Sequence, residues 1–118
     1  STRRHTEGTH YKLLIAQNII QSPYINQDTI RDRMFEILVN QSIFLQSHKE
    51  KILAQQCLET ARAFSTDKIR KKMLLSSMKY LNFHFPNQIA TSFSRFLRRQ
   101  LMPKTSFPGS AEFFSTQR

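Results

Sequence analysis

The sequence is short of nearly everything that builds loops and catalytic motifs. It has two glycines, Gly8 and Gly109, and four prolines, Pro23, Pro86, Pro103 and Pro108. All six lie between or beyond the stretches of apolar periodicity, and helix breakers confined to joints point to an all-α chain. So little glycine excludes a Gly-rich phosphate loop, and there is no P-loop, dinucleotide fingerprint or G-x-S-x-G elbow. The single cysteine, Cys57, excludes an intrachain disulfide and makes a reducing, intracellular setting (nuclear or cytoplasmic) the expectation. On its helix Cys57 shares the face of Leu53 and Ala61, the place of a small core residue and not of a nucleophile. No apolar run approaches the ~20 residues of a membrane span, and the opening STRRHTEGTH has no apolar signal-peptide segment.

Catalytic groups are equally sparse. His5, His10, His48 and His84 fall at an end or at helix joints, without a carboxylate or second cysteine at metal-ligand spacing. Asp28, Asp32 and Glu36 read as surface charge on a helix. The expectation is a non-enzymatic protein without metal or cofactor.

Acid is the scarcity with most to say about partners. Residues 1–59 hold seven Lys/Arg against six Asp/Glu, whereas residues 60–118 hold eleven against two, Asp67 and Glu112. The formal charge of +10 therefore sits almost wholly in one half. Such a skew predicts an anionic partner.

What is present is enough for one folded domain: 118 residues, 39% apolar, with ten Phe and no Trp. Periodicity predicts a helix over 9–21 (Tyr11, Leu14, Ile15, Ile19) and another that starts near Asn26 to Asp28 (Ile30, Met34, Ile37, Leu38 inward; Asp32, Arg33, Glu36 outward). Ser47-His-Lys-Glu50 fits a capping box opening a third helix, with Leu53, Cys57, Ala61 and Phe64 buried. A fourth helix over 65–81 opens on a Ser65/Thr66/Asp67 cap cluster. It places Lys68, Lys71, Lys72 and Lys79 in one arc, Ile69, Met73 and Tyr80 on a second face, and Leu74, Met78 and Leu81 on a third, so that only the lysine arc meets water. Arg70, near Leu81 on the wheel, is expected to pair with Glu59. Asn82–Phe85 interrupts this helix, Phe83 and Phe85 plugging the core, and Asn87 caps a fifth. There Ile89, Phe93, Phe96, Leu97 and Leu101 face the core, while Arg95, Arg98 and Arg99 face water beside Thr91 and Ser92. The domain organisation read is a flexible lead-in (1–8), one helical domain (9–102) and a flexible Phe-containing tail (103–118). The missing initiator Met and abrupt edges suggest a domain cut from a longer chain.

At an offset of 39, Asp28, Ile30, Arg31, Met34 and Phe44 match Asp67, Ile69, Arg70, Met73 and Phe83. This Asp-x-Ile-Arg opening and period are similar to HEAT-type repeats, which would imply two stacked helical hairpins behind an N-terminal helix. A five-helix bundle without repeats is the other reading.

Two functions follow. The first is nucleic-acid binding (DNA or RNA) by phosphate contacts from Lys68, Lys71, Lys72, Lys79, Arg95, Arg98 and Arg99, with Arg62 and Lys104 as accessory cations. The second is a protein-interaction domain docking an acidic or amphipathic segment, for which an exposed Leu75 amid the lysines would be an apolar anchor. A continuous basic stripe over the last two helices favours the first; exposed Phe or Leu side chains favour the second. A membrane surface ranks below both, since the apolar face of the fifth helix is more simply a core face.

Overall fold

The structure, a computed structural model, describes residues 2–22, 27–65 and 68–102. Five helices follow in order: α1 (Thr2–Gln21), α2 (Asp28–Ser47), α3 (Lys51–Ala61, extended by a 3-10 turn over Arg62–Phe64), α4 (Ile69–His84) and α5 (Asn87–Leu101). The described residues contain no strand, so the all-α reading stands.

α2, α3, α4 and α5 form a closed ring. Each packs on its neighbour in the chain, and α5 returns to pack on α2, while the α2–α4 and α3–α5 diagonals barely touch. Short joints make consecutive helices antiparallel, as in an up-and-down bundle. α1 lies outside the ring against α2 and α3. The two hairpins therefore face each other across one core and do not stack side by side as in a solenoid. The 39-residue offset nevertheless has a physical counterpart: Asp32 and Lys71, equivalent under it, form an ion pair across the α2–α4 diagonal.

The core collects Met34, Phe35, Leu38, Val39 and Ile43 of α2 with Leu58 and Ala61 of α3, Phe64, and Leu74, Leu75 and Met78 of α4. Ala16 of α1 joins it, and a smaller cluster unites Leu45, Leu53, Ala54 and Cys57. α3 buries the face its sequence predicts. α1 starts at Thr2, upstream of its apolar period. A polar clamp ties α1 to α2: Gln41 Nε2 donates to Thr9 Oγ1 (2.7 Å) and Lys12 Nζ donates to Gln41 Oε1 (2.6 Å).

Helix ends differ from the sequence reading for local reasons. Ser47 is the last residue of α2 and donates to the Phe44 carbonyl, so no capping box forms. Instead Glu50 N–H bonds Leu45 O and Lys49 N–H bonds Gln46 O, the pairing of a Schellman turn, with Lys49 at φ 63°. Ser65 Oγ donates to Arg62 O and closes the 3-10 turn, while Lys68 precedes α4 without a side-chain cap; Thr66 and Asp67 lie outside the described residues. α4 continues past Leu81 to His84 and stops only where Phe85, preceding Pro86, is forced into extended backbone (φ −127°, ψ 155°). Asn87 is the first residue of α5 and makes no capping bond.

The largest departure is the roll of α4 and α5. α5 turns Ala90, Thr91 and Ser94 inward and leaves Ile89, Phe93 and Phe96 at 41%, 54% and 51% exposure. Only Leu97 and Leu101 of its expected core face touch the core. α4 buries Leu74, Leu75 and Met78 but exposes Ile69 (75%), Met73 (52%) and Tyr80 (59%). Phe83 and Phe85, expected as core plugs, are also exposed. Small residues on the inner face of α5 suit close helix approach, and a bulky apolar row is left outside.

Two outcomes follow. Phe35→Ala, emptying the core centre, should lose about 3–5 kcal/mol in urea unfolding, whereas Phe93→Ala and Phe96→Ala should each stay within about 0.5 kcal/mol. Lys49→Gly should raise the unfolding midpoint, gaining about 1 kcal/mol by relieving a left-handed lysine.

Candidate binding surface

The cations of the second hairpin meet different fates. Lys71 projects toward α2, where its Nζ bonds Asp32 and lies 4.8 Å from the Phe35 ring centroid. It is half-buried because its position on the α4 wheel lies between Leu74, Leu75 and Met78, the core-facing residues. Lys79 Nζ lies 3.2 Å from Glu59 Oε1, and Arg62 Nη1 lies 3.7 Å from the other oxygen of that carboxylate. Gln55 Nε2 also donates to Glu59 (2.9 Å). The hydrogen bond from Lys79, then that from Gln55, hold the Glu59 carboxyl below its usual range. Arg70, expected on Glu59, is exposed, because α4 aims it away from α3 and Lys79 takes the carboxylate. Arg98 is half-buried, with Nη2 3.4 Å from Glu36 Oε1, and Glu36 itself is buried and not on the wet face expected for it. Lys68, Lys72, Arg95 and Arg99 remain exposed. Lys104 and the tail phenylalanines lie outside the described residues.

The predicted single stripe is divided in two. Lys72 and Lys79 line the groove between α3 and α4, together with Arg62 and the buried Leu58 and Leu75. Leu75 is thus a floor residue, 4% exposed, and not an apolar tip among lysines. Arg95, Arg98 and Arg99 line the groove between α5 and α2. In the ring order α2–α3–α4–α5 these grooves lie on opposite flanks.

Between the flanks lies the outward side of the α4–α5 hairpin. On the wheels Ile69, Met73 and Tyr80 form one row, and Ile89, Phe93 and Phe96 another. Tyr80 bridges toward the joint, its ring 4.4 Å from that of His84 and 6.1 Å from that of Phe85. The result is an apolar face with cations along both edges. No acidic residue occurs from Lys68 to Ala111, so nothing on either helix offsets that charge. Sequence periodicity found these apolar rows but assigned them to the interior; no residue type distinguishes an apolar row that meets its own core from one that is left uncovered.

Other chemistry is thin. Among the described residues no three metal-ligating side chains come together, and no helix is long and apolar enough to cross a membrane. The chain matches no family model, no curated protein and no solved structure. Burial pushes the Cys57 thiol up to about 12, against a smaller downward pull from Lys12. From the ordinary value of 9.0 upward the unfolded chain loses this proton while the native chain keeps it, so stability must fall with rising pH between those limits. The stability of wild type relative to Cys57→Ala should therefore decrease with rising pH in that window, by roughly 1 kcal/mol per pH unit, measured as the difference between their urea midpoints converted to free energy.

Proposed function

We propose that this chain is a non-enzymatic protein-interaction module whose α4–α5 face receives an acidic amphipathic helix. The observation that carries the reading is the outward apolar double row of Ile69, Met73, Tyr80, Ile89, Phe93 and Phe96, edged on both sides by cations. Contiguous exposed apolar area of this kind marks interaction sites on monomeric proteins. Two features select the occupant. α1 already lies over the α2–α3 hairpin in the same bundle, whereas among the described residues no helix covers the α4–α5 hairpin in that way. Cationic edges with no acid on either helix repel a second copy of the same face and attract carboxylates. A helix with leucine-type anchors at i, i+3/i+4 and i+7 and acids on its flanks matches both the rows and the edges.

Phosphate-directed nucleic-acid binding is the competing reading, supported by the exposure of Lys68, Lys72, Arg95 and Arg99. Against it weigh the pairing of Lys71, Lys79 and Arg98 with Asp32, Glu59 and Glu36 and the separation of the remaining cations onto two flanks. An anionic membrane would also meet apolar rows with basic edges, and the vesicle arm of the test below separates it from a helix.

The test uses a labelled acidic amphipathic peptide of about 20 residues, long enough to span about 30 Å beside a body 37 × 37 × 32 Å in extent. Its scrambled isomer, a mixed-sequence DNA duplex and anionic phosphatidylserine vesicles are the other arms, each titrated against wild type and Phe93→Ser/Phe96→Ser. Helical-peptide binding that exceeds that of the scrambled isomer and weakens about 30-fold in the Phe variant is expected. Equal binding of both peptides, or tightest binding to duplex with a steep salt slope and no Phe dependence, would overturn the proposal. So would vesicle binding that alone responds to the Phe substitutions.

A further inference from the structure

The groove between α5 and α2 has a chemistry of its own. Its walls are Asn40, Ile43 and Phe44 on one side and Arg95, Arg98 and Arg99 on the other, enclosing a volume of about 590 Å³. Positions 95, 98 and 99 lie within one turn of α5, so all three arginines border the same cleft. One carboxylate, Glu36, answers Arg98 through Nη2 at 3.4 Å, a long contact. Arg98 Nε is buried and has no hydrogen-bond partner. Glu36 therefore answers the Arg98 guanidinium only in part. Three cations against one anion leave the cleft two positive charges in excess. Ile43, 5% exposed, and Phe44, half-buried with its ring 4.4 Å from His48, give it an apolar wall.

We infer that this cleft is an anion site for a phosphate monoester carried on an apolar or aromatic group. The doubly charged phosphoryl head matches the excess of two. Its three terminal oxygens offer acceptors to forked guanidinium donors, which bind such groups bidentately. The carbon substituent lies against Ile43 and Phe44, and the Asn40 side chain, at the cleft edge, supplies a neutral hydrogen-bond donor. A phosphodiester strand carries one charge per phosphate and has no such apolar substituent at the phosphorus, so it fits less well. This site stands independently of the α4–α5 apolar face, whose anchors are phenylalanines on the other side of α5.

The experiment is a titration of the protein, followed by amide chemical shifts, with phenyl phosphate, inorganic phosphate, phenyl sulfate and a single-stranded oligonucleotide. Wild type is compared with Arg95→Ala/Arg99→Ala, Arg95→Lys/Arg99→Lys and, as a charge control on the opposite flank, Lys68→Ala/Lys72→Ala. Phenyl phosphate is expected to bind more tightly than inorganic phosphate or phenyl sulfate, with shifts centred on residues 40–44 and 95–99. Loss of both exposed arginines should weaken it about tenfold or more, and the lysine replacement should not restore it, while the opposite-flank control leaves it unchanged. Circular dichroism melts of each variant establish that the fold is intact. Equal binding by all variants, equal affinity for phenyl sulfate, or an oligonucleotide that outcompetes the monoester at matched phosphate concentration would overturn the assignment.

Discussion

How closely α5 can approach its neighbours decides most of what this molecule presents to its surroundings. Its inner face is Ala90, Thr91 and Ser94, side chains with almost no reach. With that face inward the helix brings Arg98 to Glu36 and sends Phe93 and Phe96 away from the core. The opposite roll would bury two phenylalanines, worth several kcal/mol in transfer terms, but would have to open the ring to admit them and would leave Glu36 buried without its partner. The exposed rows of α4 and α5 are thus a consequence of close packing inside, and they are the property that makes this hairpin a surface for something else.

The charge skew along the chain acquires a second meaning. Asp32 of α2 meets Lys71 of α4, Glu36 of α2 meets Arg98 of α5, and Glu59 of α3 meets Lys79 of α4. Each of these pairs runs from an acid in the first hairpin to a base in the second. Part of the positive charge that reads in sequence as a partner signal is spent inside the bundle. Of the exposed cations that remain on the second hairpin, Lys68 and Lys72 fall toward one edge of the apolar face and Arg95 and Arg99 toward the other, while Arg70 stands on the side of α4 turned away from α3.

Helix number and the inner face of α3 were legible in the sequence, because period and burial there agree. Cys57 was legible for the same reason. The orientation of α4 and α5 was not. On α5 the apolar and basic sides are opposed so clearly that burial of the apolar side is the natural inference, yet the periodicity is identical whether the cover is the domain's own core or a foreign chain. Lys71 is a similar case: a wheel places it near Lys68 and Lys72, but only the position of α2 determines that it turns inward to Asp32 and Phe35. The end of α4 was read three residues early, because Asn82–Phe85 looks like a breaker while the backbone constraint acts only through Pro86.

The acid-to-base sense of the pairs between the hairpins also gives the fold a polarity of assembly. Two copies of the second hairpin, each cationic and without an acidic side chain from Lys68 to Leu101, have nothing with which to answer one another, whereas a first and a second hairpin attract. The order of the pieces is thereby encoded in charge as well as in connectivity. A chain that opened between the hairpins would be drawn by charge to exchange them in the heterotypic sense, rebuilding the same four-helix ring from two molecules, and the pairing of two second hairpins would be disfavoured.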